Sequence, residues 1–205
     1  MTLDYESAIL NVSLLWMLTV PHEFAHAWTA VKLGDDTPAR EGRVTLHPLA
    51  HVDWLGTVIL PGLLSLFSGG FLGWGKPVNT NPYNLRGGNR GLALVALAGP
   101  ASNILFAVIL AAITVALMRV APEYAAFPAR GVYLSLFLAM FNMIPVPPLD
   151  GSKLLLLARA PTAIYYELAR AGFLILLVLI TATPLGRWLS ATSYLGAHFL
   201  LSLFR

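Results

Sequence analysis

From Gly91 to Met118 the chain carries no charged residue, and that run limits its fold more than any other feature. A bilayer core about 30 Å thick takes roughly 20 apolar residues as a helix, and backbone polar groups there must be satisfied internally. Comparable uncharged runs recur. Leu55 to Gly75 is glycine-rich and contains Pro61, Gly131 to Leu149 ends in a proline cluster, and Gly172 to Gly186 is parted from Trp188 to Phe204 by Arg187. With a first segment over about residues 5–33, the pattern predicts five or six membrane segments. Composition agrees: of 205 residues, 57% are hydrophobic and only 11% charged, against about 25% charged in soluble domains. The expected fold class is an all-α polytopic membrane protein, with a re-entrant or short β element near its functional site.

Other features narrow the partners. No loop is long enough for a separate soluble domain, so residues 1–205 read as one domain, with a core over about 5–158 and C-terminal membrane segments over about 163–204. The net charge of +3 is scattered, with no basic cluster suited to nucleic acid. With no cysteine, histidine and carboxylate are the strong metal ligands available. Met1 to Ser7 lacks Lys and Arg, so the first hydrophobic segment is expected to be retained rather than cleaved as a signal. An acidic start followed by Lys32, Arg40 and Arg43 favours an outside N-terminus and an inside first loop. Lys76, Arg86 and Arg90 mark the next connection as inside too. Both hold if Leu55 to Gly75 is re-entrant or strand-like. The alternation over residues 42–46 and the glycines from Gly69 to Gly75 suit extended pieces of that kind.

Within the first segment lies His22-Glu23-Phe24-Ala25-His26. Histidines four apart share a helix face about 6 Å apart along its axis, within reach of one metal ion. A Glu beside the first of them is the usual general base for metal-bound water. Charges at the centre of a membrane helix cost about 2.5–3.5 kcal/mol each, which argues against coincidence. A hydrolytic zinc site needs a third protein ligand. Asp150 is the best candidate: it is the only carboxylate between Glu123 and Glu167, and Pro145, Pro147 and Pro148 open the helix before it. A helix N-cap is the competing role for this Asp. His47 and His51, four apart beside Asp53, read as loop residues because Pro48 interrupts any shared helical face. Gly99, Pro100 and Asn103 read as close helix packing, with Asn103 near the site as the alternative. Asn142 has an interhelical hydrogen bond as its alternative role.

Three stretches, HEFAH, AGPASN at Ala98 to Asn103 and NMIPVPPLDG at Asn142 to Gly151, resemble the three signatures of the site-2 protease family of intramembrane zinc metallopeptidases. GRVTLHPLAHVDWLGT and GWGKPVNTNPYNLR resemble a compact bacterial subgroup without a PDZ domain, although His47 and Trp54 stand where Asn and Pro would be expected. The resemblance spans roughly residues 10 to 158. It implies one zinc per chain held by His22, His26 and Asp150, with Glu23 as catalytic base. It also implies Asn142 as a group that orients substrate or stabilises the oxyanion. The implied reaction is hydrolysis of peptide bonds in or near membrane-spanning segments of a protein substrate. The implied setting is multi-pass in the bilayer of a bacterial inner membrane, and a homo-oligomer is allowed. The rival functions are a metal-binding transporter and a non-catalytic scaffold that binds membrane helices.

Overall fold

A computed structural model describes residues 5–68 and 73–205. The long helices are α1 (Tyr5–Lys32), α4 (Asn89–Val120), α5 (Ala126–Asn142), α7 (Thr162–Ala182) and α8 (Leu185–Leu203). Shorter ones are α2 (Thr37–Arg40), α3 (Leu60–Ser68) and α6 (Lys153–Leu157). Four helical stretches are long and apolar enough to cross a membrane: Tyr5–Lys32, Asn89–Val120, Pro122–Asn142 and Thr162–Ala182. The protein is an all-α membrane protein, and no strand forms among the described residues.

Helix α4 is the central post, flanked by α1 and α5. Lipid tails are as apolar as leucine, so helices in a bilayer associate through close packing rather than by escaping water. The contact surfaces here suit that. Leu14, Leu15 and Leu18 of α1 are fully buried against Ala107, Leu110 and Ala111 of α4 and Val132 and Leu138 of α5. Gly131 marks a close approach of α5 to α4, because a Cβ there would stand 2.9 Å from the Leu110 side chain. Ser135 Oγ donates to the Asn103 carbonyl at 2.7 Å and ties α5 to α4. Helix α7 stands to one side, with only Gly172 and Leu176 buried.

Several apolar runs are cut differently from the sequence expectation. Leu55 to Gly75 divides into a π-helical turn, Trp54–Ile59, and the short α3. The run ending at Leu149 is helical only to Asn142, after which the proline cluster turns the chain. Residues 42–46 bend rather than pair: Arg43 turns inward and its guanidinium takes the carbonyls of Ala50, Lys76 and Pro77. Alternation alone makes no strand when no neighbouring strand offers a ladder. Gly69 to residue 72 lie outside the described residues, whereas Gly73 to Thr80 form neither helix nor strand. The two basic connections meet at one end of the bundle, where Arg86 N–H donates to the Leu33 carbonyl at 2.8 Å.

Candidate metal centre

Helix α1 passes through Pro21 without a break and carries His22, Glu23 and His26, all buried. Asp150 arrives 124 residues after His26, in a 3-10 turn that follows the proline cluster. The turn closes there because Gly151 has no side chain: a Cβ would collide with the Met143 carbonyl. Asp150 Oδ2 lies 3.2 Å from His22 Nε2 and 3.1 Å from His26 Nε2, and the two Nε2 atoms are 3.0 Å apart. Asp150 is not at a capping position: Leu149 precedes its 3-10 turn and Ser152 precedes α6. Among the described residues this is the group of three His, Asp or Glu side chains able to share a metal ion.

The donor set fits a small divalent ion. Tetrahedral zinc with ligands at about 2.0–2.1 Å separates those ligands by about 3.3 Å, close to the three spacings observed. The outer shell agrees at His26, whose Nδ1 is 2.7 Å from the Val95 carbonyl. A carbonyl only accepts, so the ring proton sits on Nδ1 and Nε2 keeps its lone pair. Glu23 is one residue from His22 and so turned about 100° around the helix. It borders a cavity of about 570 Å³ whose wall also includes Trp74, Asn79, Asn142, Lys153 and Tyr165.

Comparison with known proteins decides the family. The chain is 34% identical over 190 residues to "Putative zinc metalloprotease YwhC" of Bacillus subtilis, covering 87% of this chain and 82% of that protein. It is 32% identical over 194 residues to "Putative zinc metalloprotease Rip2" of Mycolicibacterium smegmatis, covering 91% and 72%. The Mycobacterium tuberculosis protein of that name is 32% identical over 199 residues, covering 94% and 74%. The chain belongs to the site-2 protease family. No family profile matches it, and no solved structure does.

In this site-2 protease, AGPASN is the stretch of α4 that backs the two imidazoles. Gly99 lies directly against them, and a Cβ there would run into His26 Nε2 and His22 Cε1. One turn on, the Asn103 side chain is buried with its amide nitrogen 3.2 Å from His22 Nδ1. Three supporting groups escaped the sequence reading. The Val95 carbonyl belongs to the backbone and leaves no signature. Lys153 donates to Asp150 Oδ1 at 3.0 Å, and its i+3 spacing from Asp150 is the clue it offered. Arg43 was read as a topology determinant. Burial pulls its guanidinium below the ordinary value against the nearby Glu23 and Glu41, and it ties the 43–50 loop to the backbone at Lys76 and Pro77.

Asn142 lines the cavity, but its amide nitrogen donates to Leu138 O of its own helix at 3.0 Å. His51 is buried and paired with the Thr45 carbonyl at 2.7 Å; burial lowers its basicity. Asp53 caps the π-helical turn through Gly56 N–H at 2.8 Å. His51 ends a 3-10 turn, Pro48–His51, that starts at the proline expected to interrupt the segment, and Asp53 directly precedes the π-helical turn. His198 packs edge-on against Tyr194, with ring centroids 4.7 Å apart.

Proposed function

We propose that the chain is an intramembrane zinc metalloprotease of bacterial inner membranes, folded as one domain, that cleaves membrane-spanning segments of other proteins. The observation that carries this reading is the convergence of His22, His26 and Asp150 within 4.8 Å, buried and beside Glu23, between helices apolar enough to span a bilayer. Zinc bound there supplies a Lewis acid and lowers the pKa of a coordinated water toward about 7. His22 and His26 offer Nε2, and Asp150 offers Oδ2. Glu23 takes the proton from the attacking water and passes it to the leaving amine. Asn142, on the same cavity wall, orients the substrate carbonyl once its amide leaves Leu138.

A helical substrate hides its carbonyls in its own hydrogen bonds, so it must be held extended to be cut. Gly73 to Thr80 supports that role. Its Trp74 and Lys76 N–H groups donate to Gly56 and His51 carbonyls, at 2.9 Å each, whereas the Gly75 N–H between them has no backbone partner among the described residues. Bonds at alternate residues leave the other edge free, which is the pattern a peptide joins by β-addition. Meeting ends of the first loop and the 85–90 connection support a re-entrant Trp54–Ser68, and α8 would add a fifth crossing. The transporter alternative lacks a route: among the described residues no ionisable side chain of α5, α7 or α8 is buried. Reconstitution with a single-span substrate tests the proposal. Glu23→Gln should keep zinc and lose cleavage, and equal cleavage by both proteins would sink it.

A further inference from the structure

His22 and His26 are supported unequally. His26 Nδ1 faces a backbone carbonyl, which can only accept, whereas His22 Nδ1 faces the Asn103 amide, which can offer either of its ends. With the nitrogen end forward, as observed, Asn103 donates, the His22 proton is forced onto Nε2, and that atom cannot bind a cation. The same orientation leaves Asn103 Oδ1 buried with no hydrogen-bond partner. An amide turned end for end keeps the same shape, its nitrogen taking the position the oxygen held. Turning it puts Oδ1 at the 3.2 Å contact, where it accepts a proton from His22 Nδ1.

We propose that Asn103 is the positioning residue of His22. Its amide oxygen accepts the Nδ1 proton, so the Nε2 lone pair faces His26 and Asp150. This rests on the zinc-site reading above and gives a supporting role to the third residue of the α4 face that begins at Val95. Asn103 is only 1% exposed, and Ser135 fixes its backbone to α5, so its side chain has a fixed origin from which to act. An acceptor that orients a metal-bound histidine typically changes metal affinity 10–100-fold.

The test uses purified full-length protein in detergent micelles, with zinc affinity read by competition with a chromogenic chelator. Wild type and His22→Ala come first: a wild type that binds no more tightly than His22→Ala refutes the metal site itself. Given a functioning site, Asn103→Leu should bind zinc about 10–100-fold more weakly. Asn103→Asp, which can accept but not donate, should stay within about threefold of wild type or bind more tightly. Asn103→Leu within twofold of wild type overturns the proposal, and so does a folded Asn103→Asp that falls as far as Asn103→Leu. A reading independent of variant folding is the imidazole ¹⁵N spectrum of zinc-loaded wild type. His22 protonated at Nδ1 supports the proposal, and a bare Nδ1 overturns it.

Discussion

Gly99→Ala is the smallest change that reaches the site without touching a ligand. The added methyl would stand 2.6 Å from His22 Cε1 and from His26 Cε1 and closer still to His26 Nε2. Ordinary contact begins near 3.4 Å and the nearest atom, His26 Nε2, would be at 2.3 Å, so rings or helix must give by about 1.1 Å. Neither yields easily. The rings are tied to Val95 and Asn103 on the same helix, and α4 is held by fully buried Ala107 and Ala111. Overpacking of this kind costs about 1–3 kcal/mol of stability. A displacement near 1 Å at a catalytic group costs about 10²-fold in rate. Gly99→Ala should therefore fold with a lowered melting temperature, bind zinc at least about tenfold more weakly, and lose about 10²-fold in kcat/KM. The assays are chelator competition, thermal unfolding and cleavage of a reconstituted substrate. A variant that keeps zinc affinity and cleavage within twofold of wild type refutes the packing argument, whatever its melting temperature.

Lys153→Met removes a partly exposed ion pair to the outer oxygen of Asp150, and such pairs are worth about 0.2–1 kcal/mol. Zinc affinity should drop by no more than about fivefold, against its loss in Asp150→Ala; a larger drop on competition would make Lys153 part of the site proper. Asp35 is buried at the end of α1, where burial would raise its carboxyl pKa. Hydrogen bonds from the Thr37 hydroxyl, the Asn81 and Thr37 amides and the Asn84 side chain outweigh that and hold it below the usual 3.8. Its stabilisation is then complete above pH 3.8 and lost as pH falls through the lowered value. Asp35→Asn should destabilise by about 1–3 kcal/mol at neutral pH, and the gap from wild type should close in thermal unfolding below about pH 4. Chelation of the metal should abolish cleavage while leaving helical circular dichroism in place, because the α1–α4–α5 core is formed by Leu14, Leu18, Leu110 and Val132 without it.

What the sequence disclosed and what it hid divide along a physical line. The helix-spaced pair His22 and His26, the isolated Asp150 after three prolines and the uncharged run of α4 were legible, because each is a residue type in a place with few other uses for it. Helix α7 was legible only in part. It begins at Thr162, ten residues before Gly172, because its first turns are water-tolerant and carry the exposed Glu167–Arg170 pair at 3.1 Å. The uncharged run alone would start it at Gly172, whereas the bound of about residue 163 for the C-terminal segments falls next to its first residue. The bend at 42–46 was hidden for another reason. Its alternation matched a strand, but strand pairing is a property of two segments, and Arg43 instead satisfies carbonyls from two neighbouring loops.

The outer shell of the site was the least legible part, and α4 explains why. Its contributions are a backbone carbonyl at Val95, an absent side chain at Gly99 and a buried amide at Asn103, each four residues from the next along one helix face. In a membrane helix, glycine and asparagine at such spacing have an ordinary purpose, close packing and interhelical hydrogen bonding, and that purpose is served here as well. The same three positions serve both ends, since a helix that packs closely enough to touch both imidazoles necessarily presents them its carbonyls and small polar side chains. Packing and ligand support are thus one surface of α4, and a substitution on it cannot loosen the first without moving the second.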